Sequence, residues 1–165
     1  MSYMTIRQIR HQMCMNKLRD LGCNVVNVQG VMYYVTYNFE DLEISYMYHI
    51  NPDNTYDLER IKPYVVSAGT LKTEEEIVNI IKIDIDQFKN AKRSKNFKDF
   101  IDVDTELSNA VRAFEDLFLY YNISKEDTNL IKTSIHNFKE LLMKVRDRSQ
   151  RVFYEKDPDS FKDDK

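Results

Sequence analysis

Hydrophobic and polar positions alternate with a period of two from Val31 to Ile50, then recur every three to four residues from Ile77 onward. The first rhythm belongs to a half-buried strand and the second to an amphipathic helix. Within VMYYVTYNFEDLEISYMYHI the alternation breaks only at Glu40-Asp41. A bend there pairs Phe39 with Leu42, Tyr37 with Ile44, Val35 with Tyr46, Tyr33 with Tyr48 and Val31 with Ile50. All ten are apolar or aromatic and form the expected inward face. Asn38 with Glu43, Thr36 with Ser45, Tyr34 with Met47 and Met32 with His49 make the outward face. Slipping the pairing by one residue would mix the two sets, so this register is the predicted one. Glu-Asp is poor chemistry for a two-residue turn, which leaves a slightly longer loop open.

Upstream, TIRQIRHQMCMNKLRDLGC carries Ile6, Ile9, Met13, Cys14, Leu18 and Leu21 on a helical stripe, with Thr5 as a cap and Gly22 as a stop signal. Val26 and Val28 then alternate as a strand that turns at Gln29-Gly30 into the hairpin. Downstream, NPDNT is a turn, and YDLERIKPY fits either an edge strand or a helical turn, with Pro63 opposing a central strand. Thr73 and Glu76 form a capping box ahead of Ile77, Ile81, Ile85 and Phe88. A second helix is expected from Asp104 or Thr105 through Tyr121, and a third after Ser124, capped with Asp127. Its Ile131, Ile135, Phe138, Leu142 and Val145 recur at alternating spacings of four and three. That is a coiled-coil-like seam, and the short connector before it makes the last two helices antiparallel neighbours.

The predicted class is α+β: an N-terminal helix, a three- or four-stranded antiparallel meander, then three helices ending in an antiparallel helical hairpin. A single domain is expected over residues 1–155, with helix and sheet in 1–66 and the helical part in 73–155. Residues 156–165 read as a flexible polar tail, and SAGTLK at 67–72 is where a boundary could fall.

Composition narrows the function classes without choosing one. The 165 residues are 42% hydrophobic and 31% charged with a net charge of −3, which fits neither a strongly basic nucleic-acid binder nor an acidic disordered chain. Two cysteines, Cys14 and Cys23, are too few for a disulfide framework or a zinc site and are expected to be buried thiols. No apolar run is long enough to span a membrane and the N-terminus has no signal-peptide core, so a cytoplasmic location is expected.

No catalytic constellation converges. Ser45, His49 and Glu43 share one strand face, but alternate residues along a strand stand roughly 7 Å apart and project in parallel. A nucleophile, base and orienting acid must meet within hydrogen-bond reach. Asp84 and Asp86 diverge on a helix as i and i+2, and Asp102/Asp104 lack the glycine and terminal glutamate of a calcium loop and read as helix-capping acids. No metal or cofactor is therefore expected, and no enzymatic activity.

Charge suggests two binding surfaces instead. Residues 40–59 hold six acids and no lysine, and the outward face mixes them with tyrosine and methionine. Such side chains suit protein recognition. The leading expectation is a protein-binding module, an adaptor, chaperone-like factor or inhibitor of bacterial or phage type, that meets a basic partner surface through Tyr34, Met47, His49, Glu43 and Asp41. The alternative is a nucleic-acid-binding regulator using Lys92, Arg93, Lys95 and Lys98 of KNAKRSKNFK together with the cations of the last helix. The seam of that helix buries itself either against its neighbour or against a second copy.

Overall fold

The computed structural model describes residues 31–161 together with Ile9, Met13, Cys14, residues 16–21 and Cys23. The backbone is helical at Ile9, Met13, Cys14 and 16–20, which we label α1. Its end is closed by the Cys23 N–H donating to the Leu18 carbonyl at 3.0 Å, a six-to-one bond typical of helix termination. The expected Thr5 cap, the Gly22 stop and the strand over Val26 and Val28 with its Gln29-Gly30 turn lie outside the described residues.

Four antiparallel strands follow in spatial order β1-β2-β3-β4: β1 Met32–Phe39, β2 Leu42–Ile50, β3 Tyr56–Lys62 and β4 Val66–Leu71. The β1–β2 register is the predicted one at every position from Phe39↔Leu42 to Met32↔His49. The turn does hold only Glu40 and Asp41, with Glu40 at φ 54° taking the left-handed conformation that a tight hairpin requires. In the next turn Asn54 sits at φ 64°, and the Asp53 carboxylate accepts from both the N–H and the hydroxyl of Thr55. This is how a short polar side chain stands in for backbone turn bonds.

Residues 56–62 are strand, and β3 is interior rather than an edge. Pro63 lies just past its last residue, so the missing N–H costs no ladder bond. The partner on its far side, β4, falls in the stretch expected to be a boundary. Both β3 pairings are bulged: Ile61 has no opposite number in β2, and Ala68 has none in β3. Gly69, beside the second bulge, adopts φ +87°, open to glycine without strain.

The helix α2, Glu74–Lys92, starts with the capping box as predicted. Glu76 N–H donates to Thr73 Oγ1 at 3.2 Å, while the Glu76 carboxylate accepts from the backbone of Lys72 and Thr73. It lies across one sheet face, where Leu42, Ile44, Tyr46, Tyr56, Leu58, Ile77 and Phe88 form the buried core. Each such side chain taken fully from water contributes roughly 1.5–3 kcal/mol. Val35 and Tyr37 of β1 pack against this core, but the helix does not reach the start of β1. Val31 and Tyr33, expected to be inward, thus remain 52% and 45% exposed, and Tyr33 stacks on Tyr48 at 4.9 Å.

The next helix, α3, runs from Phe97 to Tyr120, seven residues earlier than its expected start at Asp104. Asp102 and Asp104 are therefore within the helix and do not cap it. Helix α4, Lys125–Arg148, is capped by Ser124, whose Oγ accepts from the Asp127 N–H at 3.0 Å. Each of these helices has 24 residues and spans about 36 Å. After α4 the chain returns to α2, where Asn90 Nδ2 donates to the Val152 carbonyl at 3.3 Å. The end of α4 thus comes back to where α3 begins, and the two form an antiparallel hairpin that extends as an arm. The segment beyond it closes with a 3-10 turn at Asp159–Phe161 and with the Arg146 guanidinium 5.5 Å over the Phe161 ring.

Candidate functional site

The sheet's second face carries the outward residues of the hairpin, and no described helix contributes a core contact to it. Tyr34 is 58% exposed and stands opposite the half-buried Met47. Beside them, His49 Nε2 lies 3.4 Å from Asp57 Oδ2, and Lys62 Nζ lies 3.2 Å from Glu43 Oε2. Hydrogen bonds from the Thr70 hydroxyl and the Asn51 side chain hold the Asp57 carboxyl below its ordinary value, with His49 adding to the effect. Glu59, the next acid along β3, is exposed. Tyr34, Met47, His49 and Glu43 are therefore brought together on one open face, with Asp57 as an acid that the hairpin reading did not include.

Asp41 is placed elsewhere. It sits at the hairpin tip and turns toward α2, where its carboxylate meets Lys92 Nζ at 2.5 Å. That hydrogen bond holds the Asp41 carboxyl below its ordinary value. One acid from the first candidate surface thus neutralises one cation from the second. Lys89, a turn earlier, rests its ammonium 4.9 Å over the Tyr37 ring, and the Tyr37 hydroxyl raises the lysine above its usual range. The run at 89–98 is divided by the end of α2 and the start of α3. Lys89 and Lys92 serve the hairpin, whereas Arg93, Lys95 and Lys98 are exposed.

The Ser45, His49 and Glu43 side chains do not converge, since His49 and Glu43 are engaged with Asp57 and Lys62. Ser45 is fully buried between Thr36 and Lys62 of the flanking strands, and its hydroxyl has no hydrogen-bond partner among the described residues. Among the described residues no group of three His, Cys, Asp or Glu side chains is placed to hold a metal ion. Cys14 and Cys23 are exposed free thiols rather than buried ones. Among the described residues no helix is long and apolar enough to cross a membrane.

The strongest polar cluster lies on the opposite, α2-covered face. Asp84 uses both carboxylate oxygens: Tyr46 donates to Oδ2 at 2.8 Å and Arg60 Nη1 to Oδ1 at 2.7 Å. The Arg60 guanidinium lies 4.4 Å over the Tyr64 ring and 4.8 Å over Phe88, and its Nε donates to the Tyr64 carbonyl at 3.4 Å. Burial, reinforced by the Asp84 charge, pushes the Tyr46 hydroxyl well above its ordinary value. Both carboxylate oxygens are engaged, and the cluster ties α2 to strands β2 and β3. A signal for it was present in the sequence, because Asp84 falls seven residues after Ile77, inside the apolar stripe. The chain matches no protein-family model, no curated protein and no solved structure.

Proposed function

We propose that the protein is a protein-binding module whose recognition surface is the open sheet face bearing Tyr34, Met47, His49 and Glu43. The observation that carries this reading is the exposed Tyr34 beside the half-buried Met47, set among Glu43, Asp57 and Glu59 on a face that α2 leaves uncovered. Tyrosine and methionine give contact area and adaptability at recognition surfaces. The surrounding acids favour a partner with a basic surface, and charge of this kind acts mainly on association rate. An adaptor, chaperone-like factor or inhibitor of bacterial or phage type fits this chemistry, without a catalytic step.

The test is partner capture from the source cell with the parent chain and with Tyr34→Ala/Glu43→Lys, followed by affinity measurement across salt. The variant should lose the partner or weaken it by at least tenfold, with a flatter salt dependence. Equal affinity and an equal salt slope would remove this face from consideration. A second reading, nucleic-acid binding, draws support from the exposed Arg93, Lys95 and Lys98 at the α2–α3 junction. It requires a mobility shift at low salt that disappears when the three are neutralised.

A further inference from the structure

Neither α3 nor α4 contains a buried residue. The seam of α4 is only half covered: Ile135 is 49% exposed, Phe138 38%, Leu142 41% and Val145 37%. Facing helices in a closed bundle bury such positions almost completely. On α3, Phe100, Leu107, Phe114 and Phe118 are left 41% to 46% exposed. A two-helix hairpin covers each seam from one side only, and side chains of this size at these exposures leave about 600 Å² per chain, which meets the lower end of what a specific interface buries on each partner.

Charge says what fits against it. Helix α3 carries six acids and two cations, whereas α4 carries six cations and four acids. Lys132, Lys139 and Arg146 recur every seven residues beside the α4 seam. None of the acids of α3 takes part in an ion pair among the described residues, and neither does Lys132 or Lys139. The arm therefore presents complementary charges that its own fold leaves unused. A second arm brought alongside would place its α4 against this α3 and the reverse, the reciprocity of a two-fold contact.

We propose that the α3–α4 arm is a homodimerisation surface: two arms close side by side into an antiparallel four-helix bundle, each acidic α3 lying between two basic α4 helices. This does not rest on the sheet-face reading.

Sedimentation equilibrium of the full chain tests it. The parent should run at twice its chain mass in the micromolar range. Phe138→Asp/Leu142→Asp should raise the dimer dissociation constant roughly a hundredfold, while near-UV circular dichroism from the buried tyrosines of the sheet is unchanged. Lys132→Glu/Lys139→Glu alters exposed side chains with no intramolecular ion partner, so it leaves the monomer fold intact. It should weaken the dimer about tenfold. If the apolar variant loses its tyrosine signal, the charge-reversed one decides alone. A chain that stays monomeric at about 100 µM, a larger assembly, or a dimer that the charge reversal leaves unchanged would overturn the proposal.

Discussion

Replacing Asp84 by alanine tests whether the Arg60–Asp84–Tyr46 cluster is what fixes α2 on the sheet. The ion pair is largely removed from water, with Arg60 11% and Asp84 18% exposed at the side chain. Truncating Asp84 strands the Arg60 guanidinium between Tyr64 and Phe88 and leaves the Tyr46 hydroxyl without its acceptor. Breaking a buried pair from one side costs about 3–5 kcal/mol. A domain of this size has about 5–15 kcal/mol of stability in all, so about a fifth of it or more is at stake. With a urea slope of about 2 kcal/mol per molar, the midpoint of denaturation should fall by about 2 M. Tyr46→Phe removes only one charge-assisted hydrogen bond and leaves the ion pair, so its cost should be about 1–2 kcal/mol. Arg60→Met/Asp84→Leu removes both charges and fills their space, which should recover most of the loss. A midpoint for Asp84→Ala within about 0.5 M of the parent, or a double variant worse than either single one, would refute the assignment.

Two further predictions concern the turns and the acids. Gly69→Ala should destabilise by roughly 1–2 kcal/mol, because an L side chain strains a φ of +87°. The added Cβ meets no atom within 4 Å, so a cost near zero in denaturation would mean that the backbone relaxes out of that conformation. Asp57, Asp41 and Asp53 all have carboxyls held below the ordinary 3.8. A group depressed in the folded state contributes stability that is complete above the unfolded value and is lost as pH falls through the folded one. Thermal stability should therefore drop on acidification below pH 3.8, and Asp57→Asn should flatten that limb. Identical acid profiles for the variant and the parent would contradict the Thr70 and Asn51 hydrogen bonds assigned to it.

The hairpin was legible because strand side chains alternate strictly, so only one pairing of residues 31–50 keeps Leu42, Ile44 and Tyr46 on the face opposite Asn38 and Glu43. The helix caps were legible for a similar reason: the Thr73–Glu76 capping box and the Ser124 cap on Asp127 are local devices that need no tertiary context. Strand β4 was not, since Ser67, Ala68 and Gly69 have little strand preference of their own. They are drawn into the sheet by the free edge of β3. The start of α3 was harder to place: Asn96 is a cap-type residue, but unlike Thr73 and Ser124 it makes no side-chain capping bond. The open face could be read from the alternation, but the diversion of Asp41 could not. It depends on how the end of α2 lies beside the hairpin tip, which only the packed structure defines.

That diversion has a consequence for both candidate surfaces. Lys92 is held by Asp41, so any anion that recruits this lysine must first displace the aspartate. Occupying the basic junction would then release a negative charge at the rim of the acidic sheet. The hairpin tip and the α2–α3 junction are thus joined through one ion pair, so a change of charge at either is felt at the other.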